Sequence, residues 1–117
     1  MRLPFVDQAS VSQTKLVEYL LNPDHPRGRG KAQFFLRLGF RREQPDILRQ
    51  ALLRLAATAE MAETRGMFGR KFVGAGEQET PGGRTVHVVT VWMLADGAPP
   101  PQLVTAYPID YVRGVCD

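Results

Sequence analysis

Thiols are nearly absent from this chain: its single cysteine, Cys116, is the penultimate residue. That excludes an intramolecular disulfide and any multi-cysteine zinc or iron–sulfur site, and it points to a reducing, cytoplasmic setting. Only two histidines are present, His25 and His87, far apart in sequence. With no His-x-x-x-His pair and no carboxylate cluster suited to magnesium, neither a metal nor another cofactor is expected. Serine occurs only at Ser10 and Ser12, so serine-hydrolase chemistry is not expected either. There is no P-loop and no dinucleotide fingerprint. No apolar run approaches the roughly 20 residues that cross a bilayer, and the start, Met1 to Asp7, has no apolar leader region. A soluble protein without a membrane partner is the expectation.

The 117 residues fit one domain, 1–117, and such a chain can bury a core without covalent staples. Its formal net charge is +3 and its pI about 9.4. Arginine carries most of the positive charge; the lysines are Lys15, Lys31 and Lys71. The planar arginine fork suits phosphate. The charge is also uneven. Arg27, Arg29, Lys31, Arg37, Arg41, Arg42, Arg49 and Arg54 face only Glu43 and Asp46 within their segment. A basic excess of this size permits nucleic-acid binding and equally describes a plain solvated surface.

The pattern divides the chain into a helical half, about 10–60, and a sheet half, about 61–112. A first helix is expected from about Gln13 to Leu21, capped by Ser10 or Ser12, with Leu16, Val17, Leu20 and Leu21 as its apolar stripe. Asn22-Pro23 ends it. A second helix runs from about Arg27 or Gly28 to Leu38, with Gly39 as its stop. A third runs from about Pro45, a favoured first-turn residue, to about Glu60. The period then changes from helical to alternating. Gly66, Gly69, Gly74 and Gly76 interrupt a strand-like region around Arg70–Val73. Residues 84–94 form the clearest strand, Gly97-Ala98-Pro99-Pro100-Pro101 reads as a stiff loop, and Gln102–Tyr107 reads as the strand that pairs back. Helices followed by strands imply an α+β fold, about three helices on a three- or four-stranded antiparallel meander.

Two segments are candidates for chemistry. In Asn22-Pro23-Asp24-His25-Pro26-Arg27-Gly28-Arg29-Gly30-Lys31-Ala32, a histidine, two arginines and a lysine lead into a helix, whose first amides can receive an anion. Lys31 has Phe34, Phe35 and Leu38 three, four and seven residues on, so it starts the inward face. There it either snorkels to solvent or lines a cleft. His25 by itself reads equally as a loop or capping residue. The second segment is Thr105-Ala106-Tyr107-Pro108, where Thr105 and Tyr107 point to one side of a strand. If the loop 95–101 is symmetric, Thr105 pairs with Val91 and Tyr107 with Val89, and His87 shares their side. A slip of one residue brings Thr90 and Trp92 there instead.

The chain resembles a family of small bacterial domains with no assigned function. The resemblance begins in Lys15-Leu16-Val17-Glu18-Tyr19-Leu20-Leu21 and runs into Asn22-Pro23-Asp24-His25-Pro26. It continues in Gly28-Arg29-Gly30-Lys31-Ala32, Leu38-Gly39-Phe40, Gly82-Gly83-Arg84 and Thr90-Val91-Trp92, and closes with Val104-Thr105-Ala106-Tyr107-Pro108. It extends from about Leu3 to Pro108. Members occur as short proteins and as C-terminal modules, a distribution that resembles toxins and toxin–antitoxin partners. The element order is also similar to the fold of barnase, RelE and colicin D, which are metal-independent ribonucleases. The analogy implies a small antitoxin or immunity protein and RNA as partners. It implies His25 as base or acid, Lys31, Arg27 and Arg29 on the phosphate, and Thr105 and Tyr107 orienting it or donating to it. Fold analogy does not establish function. A non-catalytic module that binds nucleic acid or protein through Arg27, Arg29, Arg37, Arg41 and Arg42, and an enzyme for another small substrate, remain open. Catalysis requires His25, Lys31 and the Thr105/Tyr107 side to converge within hydrogen-bonding reach.

Overall fold

The computed structural model describes residues 1–67, 69–96 and 98–109; Cys116 and Gly97 lie outside them. Ser12 opens the first helix, its hydroxyl accepting the Lys15 amide at 3.0 Å. Helix α1 (Gln13–Lys15) passes directly into a π-helical stretch, Leu16–Leu20. There the Leu21 amide donates to the Leu16 carbonyl, five residues back, at 2.9 Å. This wider turn lets Leu16, Leu20 and Leu21 all enter the core. Ser10 is not the cap. It forms a short parallel bridge to Gln102, with the Ser10 amide donating to the Pro101 carbonyl at 2.9 Å and the Leu103 amide to the Ser10 carbonyl at 3.0 Å.

Helix α2 (Arg29–Arg37) begins after Gly28 and stops at Leu38-Gly39. Helix α3 (Pro45–Thr58) has its proline in the first turn, where a missing amide proton costs no helical bond. Arg49 ties α3 to the chain before α1, donating to the Val11 carbonyl at 3.1 Å and the Gln13 amide oxygen at 2.9 Å while pairing with Asp46.

The second half is a four-stranded antiparallel sheet in the order β1-β2-β3-β4, with β1 (Met61–Gly66), β2 (Gly69–Glu79), β3 (Thr85–Ala95) and β4 (Ala98–Pro108). The protein is thus α+β, with its helices N-terminal to its strands. Two expectations need correction. Glycines do not break up β2. A Cβ on Gly76 would lie 2.6 Å from the Leu55 side chain, so the glycine admits α3 to the strand. Nor are Ala98 to Pro101 a loop. They are the first residues of β4, an edge strand, where proline's missing donor can be tolerated.

Val91 lies opposite Thr105, and Val89 opposite Tyr107. Of the two registers that the sequence leaves open, this is the one a symmetric loop would give, reached by a different route. The hairpin is tight, with Ala95 opposite Ala98, and irregularities between Val91 and Trp92 and between Met93 and Ala95 absorb the extra residues of β4. Thr90 and Trp92 point into the core, where the indole N–H donates to the Thr90 hydroxyl at 3.0 Å. Trp92 packs in one cluster with Phe35, Phe40, Leu48, Leu52 and Phe72. Helix α3 lies on β2, and α2 lies against the π-helical stretch and β4. Among the described residues no helix is long and apolar enough to cross a membrane.

Candidate functional site

The loop from Asn22 to Gly28 is braced by its own side chains. Asn22 donates from Nδ2 to the Glu18 carbonyl at 3.2 Å, and its Oδ1 accepts the Asp24 amide at 3.0 Å. His25 Nδ1 accepts the backbone N–H of both Arg27 and Gly28 at 3.0 Å. Those two bonds occupy the Nδ1 lone pair and place the neutral ring's proton on Nε2. The imidazole stands edge-on to the Tyr19 ring, centroids 5.0 Å apart. Gly28 lies so close to this ring that a Cβ there would be 2.7 Å from it.

Lys31 is carried inward on the first turn of α2 and is 6% exposed. Its ammonium donates to the Tyr19 phenol oxygen at 2.6 Å and to Thr105 Oγ1 at 3.1 Å. The two hydroxyls are themselves 3.1 Å apart and hydrogen-bonded. The ammonium also lies 5.6 Å from the ring centroid of Tyr107, within reach of a cation–π attraction. Burying a charge is costly unless polar groups replace water. Here two hydroxyl oxygens and the Tyr107 ring contribute to that replacement.

Tyr19 feels this arrangement directly. Partial burial pushes its pKa up, but the hydrogen bonds from Lys31 and Thr105 and the positive charges of Lys31 and Lys15 outweigh burial. The net value falls below the ordinary 10.0. The cluster therefore favours a phenolate more than water does.

These groups open on a cavity of about 1040 Å³ lined by Lys15, Tyr19, His25, Arg27, Lys31 and Thr105, among others. Of the residues expected from sequence, His25, Lys31, Thr105 and Arg27 line it; Lys31 and Thr105 are hydrogen-bonded to each other, whereas the hydrogen bonds of His25 go to the Arg27 and Gly28 amides. Tyr107 sits behind Lys31 and does not line the cavity, and Arg29 is exposed on the outer side of α2. His87 is on the Thr105 side of the sheet by strand alternation, but it lies out at the surface, 3.8 Å from Glu77. Tyr19 is the residue that sequence reasoning missed. It falls off the apolar stripe of its helix, four residues after Lys15, whose ammonium lies 5.1 Å from its ring. A polar aromatic just before the Asn22-Pro23 stop was the available signal.

The basic segment is partly neutralised by its own ion pairs. Arg41 pairs with Glu43 at 3.9 Å, while Arg42 pairs with Glu18 at 3.6 Å and donates to the Val17 carbonyl at 2.9 Å. Arg27, Arg29, Arg37 and Arg84 have no acidic partner among the described residues. Also among the described residues, no three His, Cys, Asp or Glu side chains gather as a metal site requires.

No curated protein and no solved structure is significantly similar to the chain. A family model described as a domain of unknown function, DUF6883, matches residues 2–110, and the chain therefore belongs to the DUF6883 family.

Proposed function

We propose that this domain is a metal-independent endoribonuclease of toxin type, neutralised by a small antitoxin or immunity protein. The observation that carries this reading is the Lys31–Tyr19–Thr105 cluster at the floor of a cavity with Lys15 and Arg27 at its walls. Three cations there, against the carboxylates of Glu18, which is paired with Arg42, and Asp24, leave a net positive lining that favours a phosphodiester.

The chemistry follows from the hydrogen bonds. A ribose 2′-hydroxyl placed beside Tyr19 loses its proton to the phenolate, and the 2′-oxygen attacks the adjacent phosphorus. Charge that develops on the non-bridging oxygens is held by Arg27, Lys15 and the Nε2–H of His25. The P–O5′ bond breaks as the Lys31 ammonium gives its proton to O5′. The products are a 2′,3′-cyclic phosphate and a 5′-hydroxyl. Tyr19 then returns the proton it took to Lys31 along their hydrogen bond, and both groups regain their starting states. Thr105 keeps the two aligned. In this scheme His25 is a donor and a loop brace. With Nδ1 held by two amides and Nε2 already protonated, the neutral ring has no lone pair to act as base.

The His25 brace also favours a second reading, a non-catalytic nucleic-acid-binding module in which the loop is purely structural. One experiment separates them. The wild type, Lys31→Ala and Tyr19→Phe are induced from a tightly repressed promoter, then purified and given single-stranded RNA. The ribonuclease reading expects growth arrest and fragments with cyclic phosphate ends, uncut DNA, and rates about 10²–10⁴-fold lower in both folded variants. Intact RNA with the wild type overturns it and leaves the binding module.

A further inference from the structure

A second concavity, of about 390 Å³, lies on the other side of the first turn of α2. It is lined in part by Gly30, Phe34, Arg37, Arg84, Val86 and Pro108. Its composition is unlike that of a plain surface dent. Phe34 and Val86 are half-buried and apolar, while Arg37 and Arg84 are exposed at its rim and have no acidic partner among the described residues. An aromatic wall flanked by guanidinium forks is the combination that single-stranded nucleic acid uses, with a base on the ring and a phosphate on the forks. The size falls in the range of small-ligand clefts, roughly 300–1,000 Å³.

The two cavities are neighbours at the start of α2, where consecutive residues line one each. Lys31 lines the larger and Gly30 the smaller. On β4, the Tyr107 ring stands by the Lys31 ammonium while Pro108 lines the smaller cavity. A strand whose scissile phosphate lies by Lys31 therefore passes over the start of α2, beside the exposed Arg29, and meets Arg37 and Arg84 next.

We infer that the Phe34/Arg37/Arg84 cavity is a subsite for a nucleotide flanking the one held at Lys31, taking its base against Phe34 and Val86 and its phosphate on the two arginines. The inference rests on the reading of the chain as RNA-binding, and its test does not require cleavage. The probe is a fluorescein-labelled ten-nucleotide single-stranded RNA with 2′-O-methyl groups, which block the attacking hydroxyl. Its Kd for the full chain is measured by anisotropy over a salt series. The Arg37→Glu/Arg84→Glu double variant is expected to bind at least tenfold more weakly. Arg37→Gln/Arg84→Gln should lower the salt slope by about 0.7 for each phosphate that the arginines no longer neutralise. Phe34→Leu, which keeps an apolar side chain against the core, should weaken binding about fivefold or more by removing the stacking surface. The control is Arg54→Glu/Lys71→Glu, which changes net charge equally at two exposed residues outside both cavities and should shift Kd less than threefold.

Affinity and salt slope unchanged in both arginine variants overturn the inference, as does a control that falls as far as the double variant or a wild type that does not bind the probe. If the wild type cuts no RNA but binding still depends on Arg37 and Arg84, the subsite stands and the cleavage reading falls. If cleavage depends on Lys31 while binding ignores the arginines, the subsite falls and the cleavage reading stands.

Discussion

Tyr19 shows how a single side chain can be set by neighbours distant in sequence. Its phenol is held by Lys31 and by Thr105, 86 residues away. Under the proposed function its ionised form is the base, so cleavage should rise with pH through its lowered pKa, at a lower pH than a free phenol requires. Tyr19→Phe should abolish that limb of the profile. Stability is linked in the same sense. The folded-state pKa lies below that of the unfolded chain, so the stabilisation grows as pH rises from the lowered value toward 10 and is lost as pH falls through it. Urea melts of wild type and Tyr19→Phe at neutral and alkaline pH check this, and a constant difference between them would contradict it. Thr90 gives a second test at this scale. It is fully buried, and its hydroxyl accepts the Trp92 indole proton. Thr90→Val keeps the shape but orphans that donor, and should cost about 1–3 kcal/mol in urea unfolding.

Among the elements, long periodic segments are legible in the sequence and local exceptions are not. The third helix and the strand at 84–94 stand out because many residues repeat one period. The π-helical stretch does not, since Leu16, Leu20 and Leu21 suit an ordinary helix nearly as well. The Ala98–Pro101 run reads as a loop because proline chemistry usually marks one, whereas an edge strand tolerates it. The loop 22–28 stands out for its histidine and cations, yet its own bonds are internal, from Asn22 and His25 to the backbone. That bracing fixes Gly28 against the Tyr19 ring. Gly28→Ala should therefore displace the ring from Lys31 at a cost of only about 1 kcal/mol of stability and, under the proposed function, lower RNA cleavage at least tenfold. Equal activity in the folded variant would show that the ring's position is not needed.

Across the whole molecule, the charge that resembles one basic face in the sequence is partitioned. Arg41, Arg42 and Arg49 are committed to carboxylates and to backbone carbonyls of other segments. Arg27, Arg37 and Arg84 border the two cavities instead. Composition reports the sum of these charges and cannot sort them, because the sorting depends on which helix crosses which strand. The same holds for the site. His25, Lys31 and Thr105 are recognisable as a set through family resemblance, but Tyr19 joins them only through packing.

The Lys31–Thr105 bond closes a loop of 74 residues, and Thr105 belongs to the last strand of the sheet. A ribosome that has delivered the chain through β3 has delivered every helix and none of the strand that completes the cluster. Loop closure of this length is entropically unfavourable until the intervening sheet has formed. The assembled cluster is thus a late product of synthesis and folding: the nascent chain carries its lysine and tyrosine past the translation machinery without their third member, which joins them only when the edge strand docks.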